Sequence, residues 1–215
     1  MASQFLILLA IVCLVRLGCT ERMLILDKFE MPDNYYKNDF LGVSIEKPDG
    51  WYRVPDEKLR STFLIASNPS FYENESISDV LNRTNNTLIP LFGFSEYQLS
   101  VQNGKFNPYI IGFVTRLRNE TAKESECESF IRLDDFLDST ILIKDASTCF
   151  EVNFNGKIYY SEELYLKNGN KYYRQTQYVR RKKNNYVFTF SLFYDDKINK
   201  IQLHNIMNTL KFSDE

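Results

Sequence analysis

Residues 149–194, "CFEVNFNGKIYYSEELYLKNGNKYYRQTQYVRRKKNNYVFTFSLFY", decide the fold. Asn155-Gly156 and Asn168-Gly169 each sit between aromatic-rich runs. Asn-Gly is the strongest two-residue hairpin signal, because both central residues of a type I′ turn need positive φ. The stretch therefore divides into four strands, "CFEVNF", "KIYYSEELYL", "KYYRQTQYVRR" and "YVFTFSLFY", with "KKNN" turning between the last two. In the final run Tyr186, Phe188, Phe190 and Leu192 share one face, while Val187, Thr189, Ser191 and Phe193 share the other. This predicts an antiparallel meander whose more apolar face packs on helices.

Downstream, Asp195-Asp196 supplies an N-cap with favourable negative charge at a helix start. "KINKIQLHNIMNTL" then predicts a terminal helix that covers the sheet, with Ile198, Ile201 and Met207 roughly on one side. Upstream, "TLIPLFGF" and "PYIIGFVTRL" carry the β-branched and aromatic residues of strands. A first strand is expected at Leu41 to Lys47, ended by the turn Pro48-Asp49-Gly50. "STFLIAS" is a second apolar strand, and a short helix follows near Ser78 to Arg83. In "SECESFIRLDDFLDSTILI" the period changes: Phe130, Leu133, Leu137 and Ile141 recur at helical spacing, with Asp134, Asp135 and Asp138 mostly off that stripe.

The chain has 215 residues, 44% apolar and 25% charged, enough to bury one core, and shows no internal repeat or long linker. A formal net charge of −2 gives no basic excess for nucleic acid. Phe5 to Val15 are eleven apolar residues in a row, too short for a bilayer but right for the apolar region of a signal peptide, although "MASQ" lacks the usual positive start. The expected organisation is a signal peptide over 1–18, a tether over 19–38 and a single domain over 39–215. "LGCT" resembles the lipobox of bacterial lipoproteins, which would place lipid on Cys19, although Arg16 stands where that motif usually has Leu. Ordinary cleavage nearby, releasing a free protein, is the alternative.

With Cys13 in the leader and Cys19 at its edge, Cys127 and Cys149 remain for the folded part. In an oxidising compartment they suggest one disulfide, closing a 23-residue loop and contributing about 3 kcal/mol. Two buried thiols are the other reading. Asn74, Asn82, Asn85 and Asn119 are N-glycosylation sequons in polar stretches, glycan sites if the source is eukaryotic.

"GVSIEKPDGW" at the domain's start and "YYRQTQYVRRKKNNYVFTFSLFYDDKINKIQLHNIMNTLKF" at its end resemble the PsbP and DcrB-like proteins, over roughly residues 40 to 213. The resemblance implies an α/β (α+β) sandwich: a central, mostly antiparallel sheet with helices on both faces, finished by a helix and a short "LKF" strand. Members include exported bacterial lipoproteins of unknown role, a photosystem II extrinsic subunit and a Ran-binding nuclear protein, which implies action by binding. No family binding motif maps residue by residue onto this chain.

Read for chemistry, His204 is the only histidine, which excludes every two-histidine metal site and leaves one general base of that kind. "GFSEY" begins like a nucleophile elbow, but Tyr97 replaces the Gly that permits the strained turn. No phosphate-cradling glycine motif occurs. Asp134, Asp135 and Asp138 are better read as a solvated helix face than as a cation site or an acid pair. Arg180, Arg181, Lys182 and Lys183, at a hairpin tip, form a candidate basic contact patch for anionic head groups or an acidic partner, against the plainer role of edge protection. Tyr159, Tyr160, Tyr172, Tyr173 and Tyr178 are either a binding face or ordinary cross-strand packing.

The sequence thus predicts an exported, lipid-anchored, non-enzymatic accessory or binding module of the cell envelope. It would meet protein partners there, touch the membrane through its lipid, and need no cofactor or metal. A free secreted glycoprotein of the same fold is the first rival, and an acid-pair hydrolase the second.

Overall fold

The computed structural model describes residues 34–55, 58–59, 77–83, 88–98, 105–116, 141–181 and 185–213. The meander forms as the sequence predicts, in β7 (Phe150–Phe154), β8 (Lys157–Asn168), β9 (Lys171–Arg181) and β10 (Tyr186–Tyr194). Asn155 and Gly156 have φ of 53° and 75°, as a type I′ turn requires, and the ladder closes with Phe154 opposite Lys157. The next hairpin is set one residue later than Asn168-Gly169. Asn168 pairs Lys171, so Gly169-Asn170 is the loop, with φ of 58° at Gly169, the first-position glycine of a type II′ turn.

Around the meander, β3 (Tyr52–Arg53), β4 (Ile89–Ser95), β5 (Tyr109–Arg116) and β6 (Ile141–Ala146) complete an eight-stranded antiparallel sheet ordered β3-β4-β5-β10-β9-β8-β6. The twelve residues of β8 serve two partners on one edge, β7 along its first half and β6 along its second. A smaller sheet, ordered β1-β2-β11, joins β1 (Tyr35–Asn38), β2 (Val43–Glu46) and β11 (Lys211–Phe212). β1 falls inside the expected tether and is paired to β2 along its whole length. β11 is the expected "LKF" strand, opposite Val43 and Ser44.

Two helices are described, α1 (Ile77–Arg83) and α2 (Lys197–Met207). Both feed the same core: Ile77, Val80 and Leu81 from α1 and Leu203, Ile206 and Met207 from α2 pack with Tyr36, Val43 and Ile45 of the small sheet against Phe92, Phe188 and Phe190. The ring of Tyr36 lies 5.1 Å from that of Phe92, and Phe188 lies 5.1 Å from Phe212. The second face of the large sheet is buried as well, under Val54, Leu59 and Phe106.

The expected α/β sandwich with helices on both faces is therefore corrected to a β-rich sandwich of two antiparallel sheets. The reason is physical. The small sheet is assembled from strands of four, four and two residues drawn from opposite ends of the chain; β2 lies within the strand expected at Leu41 to Lys47 and β11 is the expected "LKF" strand, but no contiguous pattern announces β1 or the pairing of the three. Ile141, assigned above to a helical stripe, belongs to β6, where its β-branched side chain suits a strand. The remaining 125–140 of that expected helix, and "STFLIAS", lie outside the described residues.

α2 also turns the other way from expectation. Ile198 and Ile201 are 69% and 51% exposed, whereas Leu203, Ile206 and Met207 are buried. Its N-cap is Asp196 as predicted, whose carboxylate accepts from the Asn199 amide at 2.7 Å.

Candidate functional site

Where α2 meets the small sheet, the chain leaves a groove of about 680 Å³. Its floor is Ile45 and Ile206, and its walls are side chains that the β1-β2-β11 register turns outward. Lys37, Ser44 and Lys211 stand in one row across the three strands, and Tyr35 and Glu46 face each other in the next. One end is shaped by the turn Pro48-Asp49-Gly50. The Trp51 amide donates to the Pro48 carbonyl at 3.1 Å, and Gly50 has a φ of 76°, the positive third position of a type II turn. This sets Trp51 on the rim. Opposite it, α2 and its exit supply Gln202, Asn205 and Thr209. Thr209 fixes the junction, since its hydroxyl accepts from the Glu46 amide at 2.9 Å.

The three lysines of the groove are held differently. Lys37 pairs with Asp39 at 2.7 Å and Lys211 lies 3.7 Å from Glu46, both on open surface where such pairs are weak and screened. The Lys37–Asp39 contact still raises the Lys37 ammonium above its ordinary range. Lys47 is half-buried and donates to the carbonyls of Pro48, at 3.4 Å, and Trp51, at 2.9 Å. Together the lining side chains offer cations, the carboxylates of Glu46 and Asp49, amides, hydroxyls and aromatic rings.

A second cluster of titratable groups lies between α2 and the sheet. Glu163 accepts from Arg174 Nη1 and Lys200 Nζ, each at 2.8 Å. Burial opposes its charge, yet the hydrogen bonds from Lys200 and Arg174 hold the carboxyl below its usual range. Burial likewise works against Lys200, but its bonds to Glu163 and Tyr194 raise it. Tyr194 shares a 2.8 Å hydrogen bond with Thr176. His204 Nε2 lies 2.8 Å from the Tyr178 hydroxyl, with Phe154 edge-on to its ring, and burial followed by the nearby Lys200 charge lowers its pKa. Each group here is committed to another, so the cluster docks the helix.

The candidate residues of the sequence fall as follows. Arg180 is turned onto the fold: Nη1 donates to the Ile158 carbonyl at 2.9 Å, and the guanidinium covers the rings of Tyr159 and Phe212. The side chains of Arg181, Lys182 and Lys183 lie outside the described residues, so the basic patch is represented only by a residue engaged in packing. The five tyrosines divide between faces, with half-buried Tyr160 opposite Val179. Tyr159 and Tyr178 are buried in the core, Tyr173 packs beside Phe106, and exposed Tyr172 stacks on Tyr165 at 5.5 Å. Ser95, from "GFSEY", is buried and donates to the Tyr97 carbonyl at 2.8 Å.

Asn82 lies in α1 rather than in a loop. Cys149 immediately precedes β7, while Cys19, Cys127, Asn74, Asn85, Asn119, Asp134, Asp135 and Asp138 are outside the described residues. Among the described residues no group of three or more metal-ligating side chains occurs, and no helix is long and apolar enough to cross a membrane.

No family model matches the chain, and no curated protein sequence matches it. Among solved structures, it is similar to the solution structure of cyanobacterial PsbP (CyanoP) from Synechocystis, with a TM-score of 0.49 and 11% identity, over 85% of this chain and 95% of that one. A crystal structure from Bacteroides thetaiotaomicron gives a TM-score of 0.42 and 12% identity, over 86% of this chain and 50% of the other. Neither likeness bears on activity.

Proposed function

We infer that this chain is a non-enzymatic accessory or binding module of the cell envelope, exported by its leader, anchored through lipid on Cys19, and meeting its partner in the groove between α2 and the small sheet. The groove carries the reading: about 680 Å³ lies within the ~300–1,000 Å³ range of ligand sites, and its lining of aromatic, cationic, acidic and amide side chains suits recognition. Export is supported by the apolar leader Phe5–Val15 and by the small residue before Cys19. An outside location also suits a Cys127–Cys149 bridge, which predicts no free thiol from that pair in unfolded, unreduced protein. The free secreted form differs in one respect: its mature chain carries glycans on sequons in place of lipid.

A diazirine amino acid at Asn205, on the groove wall, and a control at exposed Tyr172 test the reading in intact cells. The account predicts a light-dependent adduct from position 205 that position 172 does not give. Equal labelling at both positions, or none at 205, overturns it.

A further inference from the structure

Along β7 the outer edge of the large sheet is open. Phe154 and Lys157 close a two-residue hairpin, so in the antiparallel ladder Phe150, Val152 and Phe154 exchange hydrogen bonds with β8. Glu151 and Asn153 turn their N–H and C=O groups away from β8, and among the described residues no strand takes them up. Both residues are exposed, and Phe150 beside them is 45% exposed. Such an edge invites another strand unless lysine, proline or a bulge blunts it. β6, in line with β7 along β8, carries Lys144 and a bulge between Ile143 and Asp145. "FEVNF" carries none of these.

The run is also a chemical palindrome: Phe150, Val152 and Phe154 share one face, Glu151 and Asn153 the other. We propose that two copies of this chain associate through β7, paired antiparallel about a two-fold axis at Val152, so that their large sheets run on as one. Glu151 of each copy then lies opposite Asn153 of the other, and both pairs exchange their free backbone bonds. On the apolar face Phe150 meets Phe154 of the second copy, and Val152 meets its counterpart. Asn153 Oδ1 already accepts from the Gly156 amide at 2.9 Å, which leaves its NH2 end for the carboxylate of Glu151. Any strand could take up the backbone groups, but the chain itself supplies the register that sets apolar against apolar and acid against amide.

Sedimentation velocity of the full chain over a concentration series tests this, and a monomer–dimer equilibrium is expected. Asn153→Asp keeps an acceptor for Gly156 but sets a second carboxylate against Glu151 in both pairs, and should weaken association by about tenfold. Adding Glu151→Lys turns each pair into opposite charges and should restore it. Val152→Cys places two thiols across the axis, with Cα atoms about 4.5 Å apart, within disulfide reach. Oxidation should give a 152–152 cross-linked peptide by mass spectrometry. Exposed Ile158→Cys, on β8 and so three strand spacings of ~4.8 Å from its mate, should give none. The proposal is overturned if the parent stays monomeric throughout, if Asn153→Asp associates like the parent, or if position 152 does not cross-link. A double variant that stays monomeric also overturns it, because Asn153→Asp would then have acted on the fold rather than on the pairing.

Discussion

Gln175 is wholly buried, opposite Leu164 on one neighbouring strand and Phe193 on the other, and neither end of its amide has a hydrogen-bond partner among the described residues. A buried amide without partners costs about 1–3 kcal/mol, and an apolar side chain of similar size avoids that cost. Gln175→Leu should therefore stabilise the protein by about 1 kcal/mol, read as a higher urea midpoint at unchanged slope. A lower midpoint would show that the amide is satisfied in solution. Gly112 is the opposite case: a Cβ there would sit 2.3 Å from the Phe92 ring. Phe92 is fully buried and stacked on Phe94, so it has no room to yield. Gly112→Ala should cost about 1–3 kcal/mol as overpacking, checked by the same titration. Neither residue was legible in the sequence. "KYYRQTQYV" alternates as if Gln175 and Gln177 faced water, and only the covered second face of the sheet buries them. Gly112 reads as an ordinary strand glycine until the ring above it is known.

Elements announced by local chemistry were read well. The Asn155-Gly156 hairpin and the Asp196 cap depend on neighbours in sequence, and both form as expected. Asp196→Ala should cost about 1 kcal/mol through loss of its bond to the Asn199 amide, visible as a lower melting temperature. The facing of α2 was misread, because Ile198 and Ile201 look like core residues until Lys200, which precedes Ile201, is seen reaching Glu163 on the sheet. That ion pair, with the Tyr178–His204 bond, turns the isoleucines outward. Ile198→Lys should consequently change stability by less than about 0.5 kcal/mol, while Leu203→Ala, in the buried stripe, should cost about 2–5 kcal/mol. Comparable losses from the two would place the isoleucine in the core.

At the scale of the molecule, the large sheet was legible and the sandwich was not. Adjacent runs of alternating residues disclose a meander, whereas the small sheet pairs Val43 with Asn38 beside it and Phe212 far along the chain. The groove inherits this, since its walls come from β1, β2, the following turn, α2 and β11, and no contiguous motif records it. The packing of α2 also sets the response to acid. His204 has its pKa depressed below the ordinary 6.5, so its contribution is complete above that value and is lost as pH falls through the folded pKa. Glu163 adds a second loss below its ordinary 4.5, again because the folded carboxyl is the stronger acid. Melting temperature should thus fall in two stages on acidification, and His204→Gln should remove the first. The intact mass of the chain recovered from the cell envelope tests the central claim, that this is an exported and anchored binding module. The account predicts a polypeptide beginning at Cys19 and heavier by its acyl chains; a chain recovered from cytosol with Met1–Gly18 still attached would contradict it.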